Sequence, residues 1–322
     1  MSTLCAGCGH DSITAALIQA FWELDIAPHR VAKMSGIGCS SKTPAYFLRE
    51  AHGFNGVHGR MPALASGAAA ANGELTIIGV SGDGDSLSIG LGQLSHAIRR
   101  NLDMLYVLEN NGVYGLTKGQ FSASADPGSK SKRGEANTMA AIDSVLLALT
   151  LGATFVARSF SGDKEQLVPI IKAGIAHRGF AFIDVISPCV TFNDHEGSTK
   201  SYAYTREKLV EAVESDFVPL HREIAVHIDD GDVRSVRLFD GSTVKLRKVA
   251  ADFDPTDREA AYAYVRARQK EGEIVTGLLH VSADADDMHT HAGTVARPLV
   301  DVPFDQLCPG AKALDELMAQ FR

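Results

Sequence analysis

Acidic and amide side chains follow two successive apolar runs of this chain. The run "LTIIGV" is followed by "SGDGD", which holds Asp83 and Asp85, and "LDMLYVLE" is followed by Asn110 and Asn111. Carboxylate and amide oxygens are ligands that Mg²⁺ prefers, and a carboxylate beside a phosphate needs a cation between them. The glycines around Asp83 let the main chain approach a phosphate closely. Asp83, Asn111 and a main-chain carbonyl of "GVYG" are therefore predicted to hold Mg²⁺ against a diphosphate.

Each half of this pattern also has a simpler explanation. "GDGD" alone is typical of a turn, and the pair Asn110 and Asn111 alone is typical of a strand cap. The combination of strand, "GDG", helix, strand and "NN" in one unit is what favours a cofactor site.

Cysteines provide the soft ligands for a second candidate site. Cys5 and Cys8 form a CxxC pair, whereas Cys39 and Cys189 each stand alone beside a turn residue. A CxxC pair alone fits half of a zinc site, a redox dithiol or two ordinary thiols. Four cysteines from three loops suit a [4Fe–4S] cluster, which takes one cysteine per iron without regular spacing. Because Cys189 follows an apolar run, it is expected to meet Cys39 at the end of a strand.

The elements that position these residues are predicted from the apolar pattern. Runs of strand length alternate with stretches whose apolar residues recur every three or four positions. This alternation predicts an α/β fold with a doubly wound, mostly parallel sheet, in which ligands bind at the carboxyl ends of the strands. The strand-like runs begin at Leu75, Leu102, Ala153 and Phe180, and the helical stretches cover 86–101 and 138–152.

The character of the chain changes near residue 200. "VRSVRLFDGSTVKLRKV" alternates apolar and basic residues around Asp240 and Gly241, which predicts a β-hairpin. "DPTDREAAYAYVRARQKEG" predicts an exposed amphipathic helix after Asp254. We therefore assign residues 1–199 to the α/β domain and residues 200–322 to a small α+β C-terminal extension.

Composition limits the class of partner. The net charge of -8 argues against a nucleic-acid-binding protein, and Lys132 and Arg133 fit a solvated loop better than a nucleic-acid patch. No apolar run reaches transmembrane length without charges or glycines, and the first residues lack the pattern of a signal peptide. We expect a cytoplasmic protein with no nucleic-acid and no membrane partner.

Six ordered motifs resemble the β subunits of 2-oxoacid:ferredoxin oxidoreductases, which bind thiamine diphosphate. They are "CAGCGH", "SGIGCSSKTPAYF", "VHGRMPALASGAAAAN", "GDGD", "ENNGVYGLTKGQ" and "ISPCVTFND". The resemblance implies a thiamine-diphosphate-binding fold of the diphosphate-binding type, with Mg²⁺ on Asp83, Asn111 and the carbonyl of Val113. The ligands implied for one [4Fe–4S] cluster are Cys5, Cys8, Cys39 and Cys189. The cofactor contacts implied are Ile37, Gly38, Cys39, Ser40, His58, Arg60, Gly84, Asp85, Gly115, Leu116 and Thr117.

The resemblance also implies a partner and a reaction. In this family the glutamate that activates thiamine diphosphate lies in a separate pyrimidine-binding domain, so an α subunit is expected to complete the site in an (αβ)₂ assembly. The reaction implied is coenzyme A-dependent oxidative decarboxylation of a 2-oxoacid, with electrons passing through the cluster to ferredoxin, or its reverse, reductive carboxylation of an acyl-CoA. The stretch "ENNGVYGLTKGQFSASADPGSKSK" looks most like β subunits that act on 2-oxoglutarate, with pyruvate as the alternative.

Two lysines are candidates for binding an anionic substrate or coenzyme A. Lys118 follows the cofactor loop and ranks ahead of Lys42 in "SSKTP", although a loop lysine is often only solvated. Cys308 matches no ligand of the family and is interpreted as an ordinary thiol. Two other classes of protein stay open: a non-oxidative thiamine-diphosphate decarboxylase or synthase, which needs no cysteines, and a zinc-binding assembly subunit, which needs no diphosphate site.

Overall fold

The structure is a computed structural model that describes residues 2–218, 233–238, 242–248, 253–282 and 284–321. Its strands in chain order are β1 (Val31–Ser35), β2 (His52–Asn55), β3 (Thr76–Gly82), β4 (Met104–Asn110), β5 (Val113–Tyr114), β6 (Gln120–Phe121), β7 (Phe155–Phe160), β8 (Phe180–Ile186), β9 (Leu209–Val218), β10 (Val233–Arg237), β11 (Thr243–Lys248) and β12 (Ile274–Val281).

The helices begin at residues that suit helix starts. Asp143, Asp163 and Asp257 each accept a hydrogen bond from a main-chain N–H of the first turn that follows them.

No helix in the described parts of the chain is both long and apolar enough to cross a membrane. The α-helices are α1 (Gly9–Glu23), α2 (Met61–Ala71), α3 (Leu91–Arg99), α4 (Ser144–Leu151), α5 (Lys164–Ala176), α6 (Tyr202–Lys208), α7 (Arg258–Lys270), α8 (Met288–Ala292), α9 (Phe304–Leu307) and α10 (Gly310–Ala319), with a π-helical turn at Gly84–Ile89 and 3-10 turns at Pro28–Arg30, Ser40–Ala45 and Leu299–Asp301.

One ten-stranded sheet organises the described residues, in the order β10-β11-β9-β12-β7-β8-β4-β3-β1-β2. The six strands from β7 to β2 in this order pair in parallel, so their carboxyl ends lie along one edge. Helix α1 packs against α5, whereas α2, α3, α4 and α7 contact one another in succession, which forms two helical layers. The predicted doubly wound α/β fold is confirmed, as are the strands expected at β3, β4, β7 and β8.

The centre of the sheet is packed tightly enough to fix the strand ends. Every residue of β4 and β8 is buried, and the ring of Tyr106 lies 5.8 Å from the rings of Phe180 and Phe182. Burial of one such side chain stabilises the fold by about 1.5–3 kcal/mol. The hydroxyl of Tyr106 lies 2.6 Å from that of Ser86, so the core also fixes the turn that follows Asp83.

Residues beyond 200 continue the same sheet. Strand β12 is antiparallel to β7 and parallel to β9, and β10 pairs with β11 as the arms of the predicted hairpin. The turn expected at Asp240 and Gly241 lies outside the described residues. Helix α7 is amphipathic as predicted, with Ala261, Tyr264 and Val265 buried on one face. The division of the chain at residue 199 stays a prediction.

Candidate functional site

A small cavity of about 110 Å³ lies at the carboxyl ends of β1, β3 and β4. The loops after these strands and the start of α1 form its wall. Most of the cofactor contacts named above line it, which brings together three motifs that are distant in sequence. The lining residues are His10, Ile37, Gly38, Cys39, Ser40, His58, Gly82, Asp83, Gly84, Asp85, Asn111, Val113, Tyr114, Gly115, Leu116 and Thr117.

Asp83 is buried at the base of this cavity, and its carboxylate is held by three donors. Its Oδ2 accepts hydrogen bonds from the main-chain N–H of Gly112 at 2.9 Å, from the hydroxyl of Ser124 at 2.6 Å and from that of Ser122. Burial raises the pKa of Asp83, although the two serine hydroxyls lower it again in part. All three donors share one oxygen, so the orientation of the carboxylate is fixed.

Asn111 lies next to Asp83 and is held at both ends of its side chain. Its Oδ1 accepts a hydrogen bond from the N–H of Val113 at 3.0 Å, and its Nδ2 lies 3.4 Å from Nε2 of His10. Its main-chain oxygen accepts a hydrogen bond from Asn193 at 2.8 Å. Asp83, Asn111 and Val113 all line the cavity, and the magnesium site expected from them stays a prediction.

Asp85 joins the loops that surround the cavity. Its Oδ1 accepts hydrogen bonds from the main-chain N–H of Ile37 at 3.1 Å and of Gly59 at 2.7 Å, and its Oδ2 accepts one from the hydroxyl of Ser81 at 2.6 Å. Nδ1 of His58 lies 2.5 Å from the same Oδ1. Asp85 therefore acts as an organiser of the loops, and its carboxylate is already occupied by these donors.

Two glycines in the site admit no side chain. A Cβ at Gly36 would overlap the carboxylate of Asp85, and a Cβ at Gly84 would overlap the ring of Tyr114. The hydroxyl of Tyr114 donates a hydrogen bond of 3.2 Å to the carbonyl of Gly84. The loops after β1 and β3 thus approach the site to a distance that only glycine permits.

The four cysteines of the motifs are near one another, although the loops that carry them are far apart in sequence. Cys8 and Cys189 are buried, and Cys5 is exposed. The N–H of Gly9 donates to the carbonyl of Pro188 at 3.3 Å, and the hydroxyl of Thr191 lies 3.5 Å from Sγ of Cys5. These two contacts join the CxxC loop to the loop that carries Cys189.

Cys39 completes this group. A Cβ at Gly115 would lie 3.3 Å from Sγ of Cys39 and 3.6 Å from Sγ of Cys189, so both thiols face the side of this glycine that has no side chain. Burial raises the pKa of Cys8 to about 12, and the nearby Cys189 and Cys39 thiols add to the rise. Within the described residues, no three His, Cys, Asp or Glu side chains are close enough together to hold a single metal ion.

A buried pair of ionisable residues beneath the site was missed in the sequence. Glu109 is fully buried; its Oε1 accepts a hydrogen bond from Thr43 at 2.8 Å, and its Oε2 lies 3.4 Å from Nδ1 of His10. Nδ1 of His10 also lies 2.6 Å from the hydroxyl of Ser187. Burial raises the pKa of Glu109 well above its usual value and lowers that of His10 to about 4. The "GH" after CxxC and the glutamate before "NN" were the available signals.

The three long cationic side chains of the prediction lie outside the cavity lining. Lys118 is exposed on the β5–β6 loop with a φ of 81°, a left-handed conformation that costs about 1–2 kcal/mol for a residue other than glycine. Nζ of Lys42 donates to the carbonyl of Thr3 at 3.2 Å. Arg60 is exposed at the start of α2. Their predicted roles stay predictions.

A buried ion cluster lies behind the base of the cavity. Arg158 donates to both carboxylate oxygens of Asp143 at 3.0 Å and to Asp184 at 2.8 Å. Asp184 accepts from Nδ2 of Asn110 at 3.0 Å, and Oδ1 of Asn110 lies 2.8 Å from the hydroxyl of Ser124, which donates to Asp83. Burial opposes the charge of Arg158, but the two carboxylates raise its pKa. Hydrogen bonds thus connect this cluster to Asp83.

Comparison with known proteins shows which proteins this chain resembles. The family model described as "Thiamine pyrophosphate enzyme, C-terminal TPP binding domain" matches residues 36–185. The chain is 45% identical over 199 residues to the 2-oxoacid:ferredoxin oxidoreductase subunit beta of Saccharolobus solfataricus, a match that covers 62% of this chain and 65% of that protein. The chain spans less than two thirds of the length of this and similar archaeal relatives.

Two matches cover most of the chain. It is 34% identical over 305 residues to the 2-oxoglutarate oxidoreductase subunit KorB of Mycobacterium tuberculosis H37Rv, which covers 91% of this chain and 79% of that protein. Among solved structures, the 2-oxoglutarate:ferredoxin oxidoreductase of Magnetococcus marinus, with 2-oxoglutarate, coenzyme A and succinyl-CoA bound, matches with a TM-score of 0.73 and 30% identity. That match covers 92% of this chain and 89% of the solved chain.

Proposed function

We propose that this chain, which belongs to the β-subunit family of 2-oxoacid:ferredoxin oxidoreductases, supplies the diphosphate-binding half of a thiamine-diphosphate active site and a [4Fe–4S] cluster beside it. The observation that carries the proposal is the position of Gly115. This residue lies in the loop after Asn111, and the thiols of Cys39 and Cys189 lie where its side chain would be, 3.3 and 3.6 Å from a Cβ built there. The loop assigned to the cofactor is therefore next to the thiols assigned to the cluster.

The donors in the cavity fit Mg²⁺ and a diphosphate. Asp83 and Asn111 offer hard oxygen ligands, and the carbonyl of Val113 is assigned as the third. The cavity of about 110 Å³ is smaller than the roughly 300–1,000 Å³ of a site that encloses a whole ligand. It suits one end of the cofactor, and a second chain, the α subunit, is needed to enclose the rest.

Four thiols from three loops fit a cluster better than a single ion. They are neighbours, yet no three ligand side chains among the described residues converge on one point. Zinc would need all four sulfurs at about 2.3 Å from one centre. A [4Fe–4S] cluster instead takes one thiolate at each of four iron atoms, which suits ligands that surround a volume.

The proposed reaction is the conversion of 2-oxoglutarate and coenzyme A to succinyl-CoA and CO₂, with two electrons passed to ferredoxin. Bound thiamine diphosphate supplies a nucleophilic carbon and stabilises the charge left by loss of CO₂. Asp85 holds the loops at Ile37 and Gly59 in place, and Lys118 or Lys42 pairs with an anionic group of the substrate or of coenzyme A. Reductive carboxylation is the same reaction reversed. We expect the enzyme to be an (αβ)₂ complex in the cytoplasm.

The choice of 2-oxoglutarate is supported by the names of two relatives and by the ligands of the solved structure. Turnover by the anaerobically purified αβ complex tests it, with methyl viologen as electron acceptor and coenzyme A omitted as the control. We expect kcat/KM for 2-oxoglutarate to exceed that for pyruvate by at least about tenfold, or ~1.4 kcal/mol. Equal values would contradict this specificity and indicate a general 2-oxoacid enzyme.

Metal analysis of the same complex tests the cluster. We expect iron and acid-labile sulfide together with brown visible absorbance; a colourless protein with stoichiometric zinc would contradict the assignment. Cys189→Ser should remove the absorbance, whereas the matched control Cys308→Ser should leave it unchanged, because Cys308 is exposed in the C-terminal segment. A protein with thiamine diphosphate but no iron would indicate a non-oxidative decarboxylase or synthase.

A further inference from the structure

On the proposed function, electrons pass from the cluster to a partner protein. They leave nearest to the thiol that the protein covers least. Cys5 is exposed, Cys39 is half-buried, and Cys8 and Cys189 are buried. Residues 5–7 are exposed along their whole length. A protein that exchanges electrons with a group held by these thiols therefore comes closest to it over this loop.

Two lysines lie next to the loop. Nζ of Lys42 donates to the carbonyl of Thr3 at 3.2 Å, just before Cys5. Nζ of Lys132 donates to the carbonyl of Thr191 at 3.3 Å, and the hydroxyl of Thr191 lies 3.5 Å from Sγ of Cys5. Lys42 thus binds a residue just before the loop of residues 5–7, and Lys132 binds a residue that contacts Cys5 of that loop.

An arginine lies next to the same loop. The guanidinium of Arg206 lies 5.4 Å from the centre of the Tyr202 ring, and the hydroxyl of Tyr202 donates to the carbonyl of Gly7 at 3.0 Å. Arg206 is exposed, so its charge faces solvent. We call Lys42, Lys132 and Arg206 the cationic rim.

The sign of the rim is opposite to that of the whole chain, whose net charge is -8. Exposed Asp11 follows the loop on the first turn of α1, and Asp194 accepts a hydrogen bond from the N–H of Tyr202.

We propose that the cationic rim docks an acidic protein electron carrier over Cys5. Opposite charges raise the rate of association and orient the partner, and salt weakens both effects.

Reversal of two rim charges in the αβ complex tests this docking surface. The variant is Lys132→Glu with Arg206→Glu, which leaves Lys42 and the proposed active site unchanged. The readout is 2-oxoglutarate-dependent reduction of a strongly acidic ferredoxin at about 0.02 M and about 0.5 M salt, compared with reduction of methyl viologen. We expect KM for ferredoxin to rise at least about tenfold at low salt and turnover with viologen to stay unchanged.

Arg99→Glu is the matched control, because Arg99 is exposed at the end of α3, at the opposite edge of the sheet. It should leave KM for ferredoxin unchanged. An equal KM in the wild type and the double variant, with equal salt dependence, would overturn the proposal. An increase in KM for coenzyme A measured with viologen would overturn it too, because the rim would then bind the phosphates of coenzyme A.

Direct titration of the complex with the same ferredoxin separates docking from chemistry. Binding that weakens at least about tenfold in the double variant supports the rim even if no substrate is turned over. Unchanged binding overturns it. A complex that binds ferredoxin through the rim but reduces neither ferredoxin nor viologen would contradict the proposed reaction and leave the docking surface supported.

Discussion

At the scale of single residues, the two aspartates of the site differ in how their carboxylate oxygens are used. Both carboxylate oxygens of Asp85 accept hydrogen bonds that hold the loops, whereas the three donors to Asp83 all bond to one of its oxygens. The two aspartates of "GDGD" thus have different tasks, although the sequence presents them as equals. Asp83 is the one suited to a metal, and Asp85 the one suited to shape the cavity.

Asp83→Ala should abolish retention of thiamine diphosphate by the αβ complex. The variant loses the proposed metal ligand, while the thiols stay untouched, so the brown absorbance and the iron content should persist. The measurement is a thiochrome assay of cofactor bound after gel filtration, beside iron analysis. Ser124→Ala, which removes one donor to Asp83, should weaken cofactor binding by only about 1–3 kcal/mol. Loss of both cofactor and cluster in Asp83→Ala would point to a folding role.

Lys118 has a strained backbone conformation and an exposed, charged side chain. Lys118→Gly should raise KM for 2-oxoglutarate about tenfold and also raise Tm slightly, because glycine adopts a φ of 81° without strain. Lys118→Ala should raise KM equally without raising Tm, since the strain persists. A KM unchanged in both variants would contradict a substrate-binding role for this lysine.

At the scale of elements, the loops are positioned by a buried polar network that reaches far beyond them. It runs from Asp83 through Ser124 and Asn110 to Asp184 on β8 and Arg158 on β7. Gln269 on α7 donates to Asp143 at 3.1 Å, so the C-terminal part of the chain is attached to it as well. Hydrogen bonds therefore connect α7 to Asp83 at the base of the cavity.

Arg158→Met should destabilise the protein strongly. It leaves Asp143 and Asp184 buried without their cation, which costs about 3–5 kcal/mol. The measurement is the Tm of the αβ complex. Adding Asp184→Asn should recover part of the loss, and Arg268→Met, which removes two partly exposed ion pairs, should change Tm little. Equal effects of Arg158→Met and Arg268→Met would contradict the importance of the cluster.

The sequence predicts this site in part, for physical reasons. Apolar runs with glycine and aspartate after them indicate strand ends, and parallel strands bring such ends to one edge, which is why Asp83 and Asn111 could be placed. The donors Ser122 and Ser124 could not, because they reach Asp83 only after the β5–β6 hairpin has turned the chain back. The resemblance implied that the four cysteines share one cluster, but it gave no sign that Glu109 is buried, because burial depends on packing.

At the scale of the whole molecule, the chain contains one half of a proposed catalytic site. The cavity at the sheet edge is small and bordered by exposed apolar side chains, with Ile37 40% and Leu116 55% exposed. Exposed apolar residues around a polar cavity are typical of a surface that another protein covers. The α subunit is the partner that our proposal places there.

The isolated β chain should therefore hold its cluster but reduce no methyl viologen with 2-oxoglutarate and coenzyme A. Addition of the α subunit should restore turnover, because our proposal has it contribute the activating glutamate and enclose the cofactor. The measurement is viologen reduction as the α subunit is titrated in, with heat-denatured α subunit as the control. Turnover by the β chain alone would show that the site is complete without a partner.

The continuation of the sheet beyond residue 200 has a consequence for how the protein is made. Every residue of β7 is buried, and the neighbour that covers its outer edge, β12, is among the last strands to be synthesised. Until β12 has left the ribosome, β7 presents a bare apolar edge of the kind that promotes aggregation. A fragment that ends at residue 199 should thus be insoluble when expressed alone, whereas the chain with β12 should be soluble.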